Sequence, residues 1–141
     1  MADYSELIKA ALNAREKSYC PYSGYAVGAA LLCADGTVFK GCNIENAAYG
    51  PSVCAERCAV FKAVSEGYSD FTAIAVVGGN KGYSPTDYAY PCGVCRQVLS
   101  EFAAPDSFDV CVAVSETDFK IFKLSELLPN SFGAGNLKEN S

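Results

Sequence analysis

Histidine is absent from the 141-residue chain. That removes Ser-His and Cys-His catalytic pairs, imidazole metal ligands and the usual acid or base at neutral pH. Proton chemistry must fall to a carboxylate, a thiol, a lysine or metal-bound water. Positive charge is also scarce: 11 Lys and Arg stand against 16 Asp and Glu, a net charge of −5. Affinity for nucleic acid comes mainly from cations set against phosphates, so no nucleic-acid partner is expected, nor an anionic membrane surface. Charged residues of either sign make up only 19%, with half the chain hydrophobic, which excludes a disordered polymer. Long apolar runs are missing as well. The opening MADYSE is acidic and unlike a secretory signal, and the longest uncharged stretch, residues 18–34, holds a proline, two glycines and two serines. A cytoplasmic chain forming one domain over 1–141, with a polar, loose tail from 133, is the expectation.

Cysteine, by contrast, is plentiful at 8 residues. In a reducing compartment thiols serve as metal ligands, nucleophiles or small buried hydrophobes rather than as a disulfide framework. Cys20, Cys33, Cys42 and Cys111 sit in or near apolar runs and read as packing residues.

No repeat or low-complexity tract interrupts the chain. Apolar residues at 4, 7, 8, 11 and 12 predict a helix over 4–18. Asp3 would cap it with Glu6 three residues on, Arg15 and Lys17 would suit its C-terminal end, and Pro21 would stop it. Apolar runs predict strands over 25–33, 71–77 and 108–114. Ala34-Asp35-Gly36-Thr37 predicts a hairpin turn into a returning strand over 38–43, and 118–122 a further strand. Helices are expected over 54–66, 92–103 and 124–128, and a long loop rich in Gly and Tyr over 78–91. Strands alternating with helices after an opening hairpin predict an α/β fold, a three-layer α/β/α sandwich around a mixed sheet of about five strands.

Two segments carry the chemistry: Val53-Cys54-Ala55-Glu56-Arg57-Cys58 and Pro91-Cys92-Gly93-Val94-Cys95-Arg96. In each, a cysteine stands where a loop becomes a helix. Helix N-termini favour anions and lower thiol pKa, and thiolates suit zinc where imidazole is lacking. Parallel strands would bring both helix starts to one end of the sheet. Cys54, Cys92 and Cys95 would then supply three ligands, the number a catalytic zinc site takes from its protein. Three thiolates and Zn²⁺ sum to −1, so the helix ends and Arg57 are read as compensating charge. Glu56 is the candidate proton carrier. Cys54 and Glu56 can serve one metal only if Cys54 sits at the very start of the helix. An alternative remains at Cys58: as a fourth sulfur ligand it would close the site and make a structural zinc module.

These two segments resemble those of the cytidine deaminases of the small, homotetrameric, three-cysteine form. Similar stretches extend along nearly the whole chain: Tyr22-Ser23 with Val27-Gly28-Ala29-Ala30-Leu31, Gly41-Cys42-Asn43-Ile44-Glu45-Asn46-Ala47, and Glu126-Leu127-Leu128-Pro129. The resemblance implies hydrolytic deamination of cytidine and 2′-deoxycytidine in pyrimidine salvage, with one Zn²⁺ per subunit and Glu56 shuttling protons from water to N3 and the amino group. It also implies that Asn43 and Glu45 hold ribose hydroxyls and that Tyr25 stands against the base. Tyr49 and Phe132 would reach a neighbouring subunit's pocket. Deamination of DNA or RNA would need a basic channel, which a charge of −5 and the ribose-binding residues argue against.

Overall fold

A computed structural model describes residues 3–137. The elements run α1 (Ser5–Arg15), β1 (Tyr25–Cys33), β2 (Val38–Cys42), α2 (Ala55–Ser65), β3 (Phe71–Asn80), α3 (Gly93–Phe102), β4 (Asp109–Ala113), β5 (Phe119–Lys123) and α4 (Leu124–Leu127). A 3₁₀ turn, Ala134–Asn136, gives local structure to the start of the expected loose tail, the end of which (138–141) lies outside the described residues.

The five strands form one sheet in the order β2-β1-β3-β4-β5. It is mixed: β1 pairs antiparallel with β2 and β3, β3 parallel with β4, and β4 antiparallel with β5. Apolar side chains alternate between its faces. Ala29, Leu31, Ile74, Val76, Val110 and Val112 pack with Ala59 and Val60 of α2 and Leu99 of α3. Ala30, Ala73, Ala75, Val77 and Cys111 pack with Leu7, Ile8 and Ala11 of α1. Both faces are covered, which explains why the central strands are apolar without alternation. The three-layer sandwich expected from the sequence is the fold.

One residue has surroundings that its spacing does not disclose, and one expectation needs correction. Arg15 closes α1, as expected, yet it is 8% exposed. It lies four residues beyond Ala11 on the buried face, and its guanidinium donates to Ala26 O, Asn80 O and Tyr83 O at 2.8–2.9 Å. Carbonyl oxygens replace the water that the charge would otherwise keep. Further along, β3 does not stop at Val77. Its ladder with β1 continues through Gly78, Gly79 and Asn80, paired with Val27, Ala26 and Tyr25. The glycines lack apolar side chains but keep the N–H and C=O groups that a ladder uses.

Gly41 sets the seat of α2. A Cβ there would lie 2.5 Å from both Ala55 O and Ala59 N, so only glycine lets the helix rest directly on β2. That contact fixes the first turn of α2, from which Cys54 and Glu56 project.

Candidate metal centre and active site

β2 and β3 point the same way, because each is antiparallel to their shared neighbour β1. The chain leaving each strand enters a helix, and the two helix starts meet. Cys54 is the N-cap of α2 and Cys92 the N-cap of α3, both with extended backbone. Neither side chain caps the backbone N–H groups of its own helix. Cys54 Sγ lies 3.8 Å from Cys92 Sγ, and Cys92 Sγ 3.5 Å from Cys95 Sγ. All three sulfurs fall within 4.8 Å of one another, a group to which Cys58 does not belong.

Charge around the sulfurs is unevenly held. The Cys54 thiol is drawn down to about 5, first by the hydrogen bond from Cys95 and then by Arg57, against burial, which works the other way. Cys95 is pushed well above the ordinary thiol range, by that hydrogen bond to Cys54, by burial and by Glu56. Arg57 donates from Nη2 to Cys54 Sγ at 3.3 Å, while its Nε is buried with no hydrogen-bond partner. A buried N–H left unpaired is costly. Holding a cation there despite that cost suits a centre of accumulating negative charge.

Glu56 follows Cys54 by two residues and is 4% exposed. Because Cys54 is the cap, Glu56 is only the second helical residue. Both side chains can then face the space at the helix end, as they could not in mid-helix. Burial raises the Glu56 carboxyl to about 7; a backbone hydrogen bond opposes this, and negative charge on Cys54 adds to it. It is thus poised to exchange protons near neutrality.

In front of this group opens a cleft of about 890 Å³, lined among others by Tyr25, Asn43, Glu45, Tyr49, Glu56 and Tyr88. Glu45 Oε1 accepts from the Tyr22 and Ser23 N–H groups at 3.0 and 3.1 Å, and Oε2 accepts from Ser23 Oγ. The serine hydroxyl first, then the two N–H groups, hold this carboxyl below its usual range despite some burial. Asn43 Oδ1 accepts from Val27 N at 2.9 Å and from Ser18 Oγ, and its Nδ2 donates to Tyr25 O at 2.8 Å. The structure therefore brings Tyr25, Asn43, Glu45, Tyr49, Glu56 and Arg57 to one cleft with Cys54 and Cys92. Phe132 lies outside the lining of its own chain's cleft and is 58% exposed. Sequence reasoning did not single out Ser18, which stands in no recognisable motif, and it placed Tyr88 in the tyrosine-rich loop without a contact; each acts through a partner 25 or 30 residues away.

The donor set fits zinc. At a Zn–S length of about 2.3 Å, tetrahedral geometry separates neighbouring sulfurs by about 3.8 Å, close to the spacings found here. With the fold and the buried glutamate, three cysteines at paired helix starts define a domain able to hold zinc beside a proton-carrying carboxyl.

Comparison with known proteins narrows the class. Residues 1–111 match the family model described as the cytidine and deoxycytidylate deaminase zinc-binding region. The chain is 48% identical over 137 residues to a cytidine deaminase of Halalkalibacterium halodurans, covering 97% of this chain and 99% of the relative. It is 39% identical to the cytidine deaminase of Mycobacterium tuberculosis, over 96% of this chain and 93% of that protein. The crystal structure of a cytidine deaminase from Burkholderia pseudomallei superimposes with a TM-score of 0.82 at 46% identity, over 94% of this chain and all of that one. The chain belongs to the cytidine deaminase family. No helix among the described residues is long and apolar enough to cross a membrane.

Proposed function

We propose that this chain deaminates cytidine and 2′-deoxycytidine by hydrolysis, giving uridine and 2′-deoxyuridine with release of ammonia, and that it serves pyrimidine salvage in the cytoplasm as a homotetramer. One observation carries the reading: a buried carboxyl, Glu56, stands beside three convergent cysteine sulfurs at the head of a nucleoside-sized cleft.

Cys54, Cys92 and Cys95 hold the metal, with Arg57 offsetting their charge. Bound zinc supplies the Lewis acidity that makes water a nucleophile at neutral pH. Glu56 moves the protons. It takes one from the attacking water and gives it to N3 of the pyrimidine, then takes the second from the new C4 hydroxyl and passes it to the amino group, which leaves as ammonia when the C4–N bond breaks. One carboxyl with a pKa near 7 can do both, as a chain without histidine requires. Glu45, kept ionised and fixed by Ser23 and two N–H groups, accepts from the ribose hydroxyls. Asn43 spends both Oδ1 contacts and one N–H on the protein, leaving its second N–H for the sugar. Tyr25 walls the base, while Tyr49 and Phe132 complete a neighbouring subunit's pocket.

The test is direct. Zinc-loaded protein mixed with cytidine should show the ultraviolet change to uridine, and Glu56→Gln should keep zinc and fold while losing turnover by about 100-fold or more. A zinc-loaded native chain without turnover, or a Gln variant of undiminished rate, would defeat the reading.

A further inference from the structure

The Gly- and Tyr-rich segment before Cys92 has no role in the chemistry above, yet Tyr88, Ala89 and Tyr90 all line the cleft. Both tyrosines are anchored from behind. Tyr88 donates its hydroxyl hydrogen bond to Asp118, and Lys120 Nζ stands 4.9 Å from the centre of its ring. Tyr90 packs its ring against Phe122 at 5.9 Å. Asp118, Lys120 and Phe122 belong to β5 and its approach, so one hairpin holds both ends of the segment.

Ala89, between them, is backed by Gly78 of β3. A Cβ built at Gly78 would meet Ala89 Cβ at 2.9 Å and the Tyr25 ring and hydroxyl at 3.1 Å. Ala89 cannot withdraw into the sheet, and its neighbours cannot swing aside without breaking their anchors. The segment is a fixed wall.

Pyrimidine chemistry says which edge that wall meets. This step rests on the deaminase reading above. The reacting carbon, C4, must lie at the sulfur group, between the starts of α2 and α3. Its ring neighbours, N3 and C5, lie on opposite sides of it. Glu56 belongs to α2, so turning N3 toward Glu56 turns C5 toward α3 and the residues that lead into Cys92. N1, opposite C4, carries the sugar toward Asn43 and Glu45.

We infer that residues 88–90 form the wall against the C5 edge of the base, and that the side chain at position 89 sets the size of C5 substituent accepted. Ala89 is thus a specificity-determining residue for 5-substituted cytosine nucleosides. Its effect is steric and falls on the substituted substrate rather than on cytidine itself.

The experiment compares kcat/KM for 5-methylcytidine and cytidine in zinc-loaded native protein, Ala89→Gly and Ala89→Val. The ratio of the two substrates cancels general losses of folding or metal, which zinc content and circular dichroism monitor separately. Ala89→Gly is expected to raise the ratio several-fold and Ala89→Val to lower it about tenfold or more, the discrimination a methyl-sized change makes in a closed pocket. Should valine disturb the fold, the glycine variant, which adds no atom, decides alone. Native protein active on cytidine, with a ratio unchanged within twofold in the glycine variant, overturns this inference and leaves the deaminase reading standing. A native chain without cytidine turnover overturns both.

Discussion

Glu56 answers two opposed demands. As a base it must be ionised, and as an acid it must hold a proton at the same pH. Burial alone would keep it neutral and a fully solvated site would keep it charged. Its carboxyl, buried beside the sulfur group, is raised by that burial to about 7, and a backbone hydrogen bond that favours the ionised form holds it between these limits. Arg57 has the complementary task. Its Nη2 contact with Cys54 and its buried, unpaired Nε commit a full positive charge to the sulfur group. Arg57→Ala should lower kcat roughly tenfold or more while zinc content falls much less, because charge at the reacting centre governs rate more steeply than it governs ligand number. Parallel metal analysis and steady-state kinetics check this; equal losses in both would make Arg57 a ligand-holding residue only.

At the scale of elements, placement of α2 decides the chemistry. Gly41→Ala would force a methyl group to within 2.5 Å of two backbone atoms of that helix. A loss of about 1–3 kcal/mol is expected by thermal or urea unfolding. Turnover should drop even where the protein stays folded, because the displaced turn carries Glu56. A second junction ties α1 to β4. Tyr4 donates to Asp109 at 2.6 Å, and Lys123 Nζ lies 2.6 Å from the other Asp109 oxygen. Burial would raise the Asp109 carboxyl, but Lys123 and Tyr4 outweigh it and hold it below the usual value. A carboxyl so held stabilises the fold above its unfolded pKa and loses that contribution as pH falls through the folded one. Stability should therefore decline from about pH 4 downward. Asp109→Asn should flatten that decline in a series of Tm against pH.

The same scale shows what could be read from residues alone. Strand β1 was legible to its ends, since nine apolar or small residues between two turns have few other destinies. The sulfur group was legible because a cysteine at a loop-to-helix junction is a local pattern, repeated here twice. Two features were not. The extension of β3 depends on what β1 offers as a partner, not on the glycines themselves. Arg15 has the spacing of a core residue and the chemistry of a surface one. Only the three carbonyls that converge on it, from residues as far as 68 positions away, settle the conflict.

For the whole molecule, exposure is the informative quantity. Tyr49 is 80% and Phe132 58% exposed. Tyr49 stands at the cleft, and Phe132 is held near α3 by its own carbonyl, which accepts from Gln97 Nε2 at 2.9 Å. In the proposed tetramer Phe132 serves a neighbour's pocket, so Phe132→Ala should reduce kcat/KM for cytidine about tenfold without unfolding the subunit. Sedimentation alongside kinetics separates a weakened assembly from a tetramer with an imperfect pocket. Full activity in a monomer would dismiss the shared site.

Cysteine at both helix caps has a consequence for order within the fold. A serine or aspartate in that place would accept the first N–H groups of its helix, and neither Cys54 nor Cys92 does. The leading turns of α2 and α3 are therefore secured from outside, by what their sulfurs jointly grip. Chelation would then act on distant stretches of sequence in concert. Both turns would fray together, and the amide hydrogens of Cys58 and Arg96, which donate to Cys54 O and Cys92 O, would lose protection from solvent exchange as one unit.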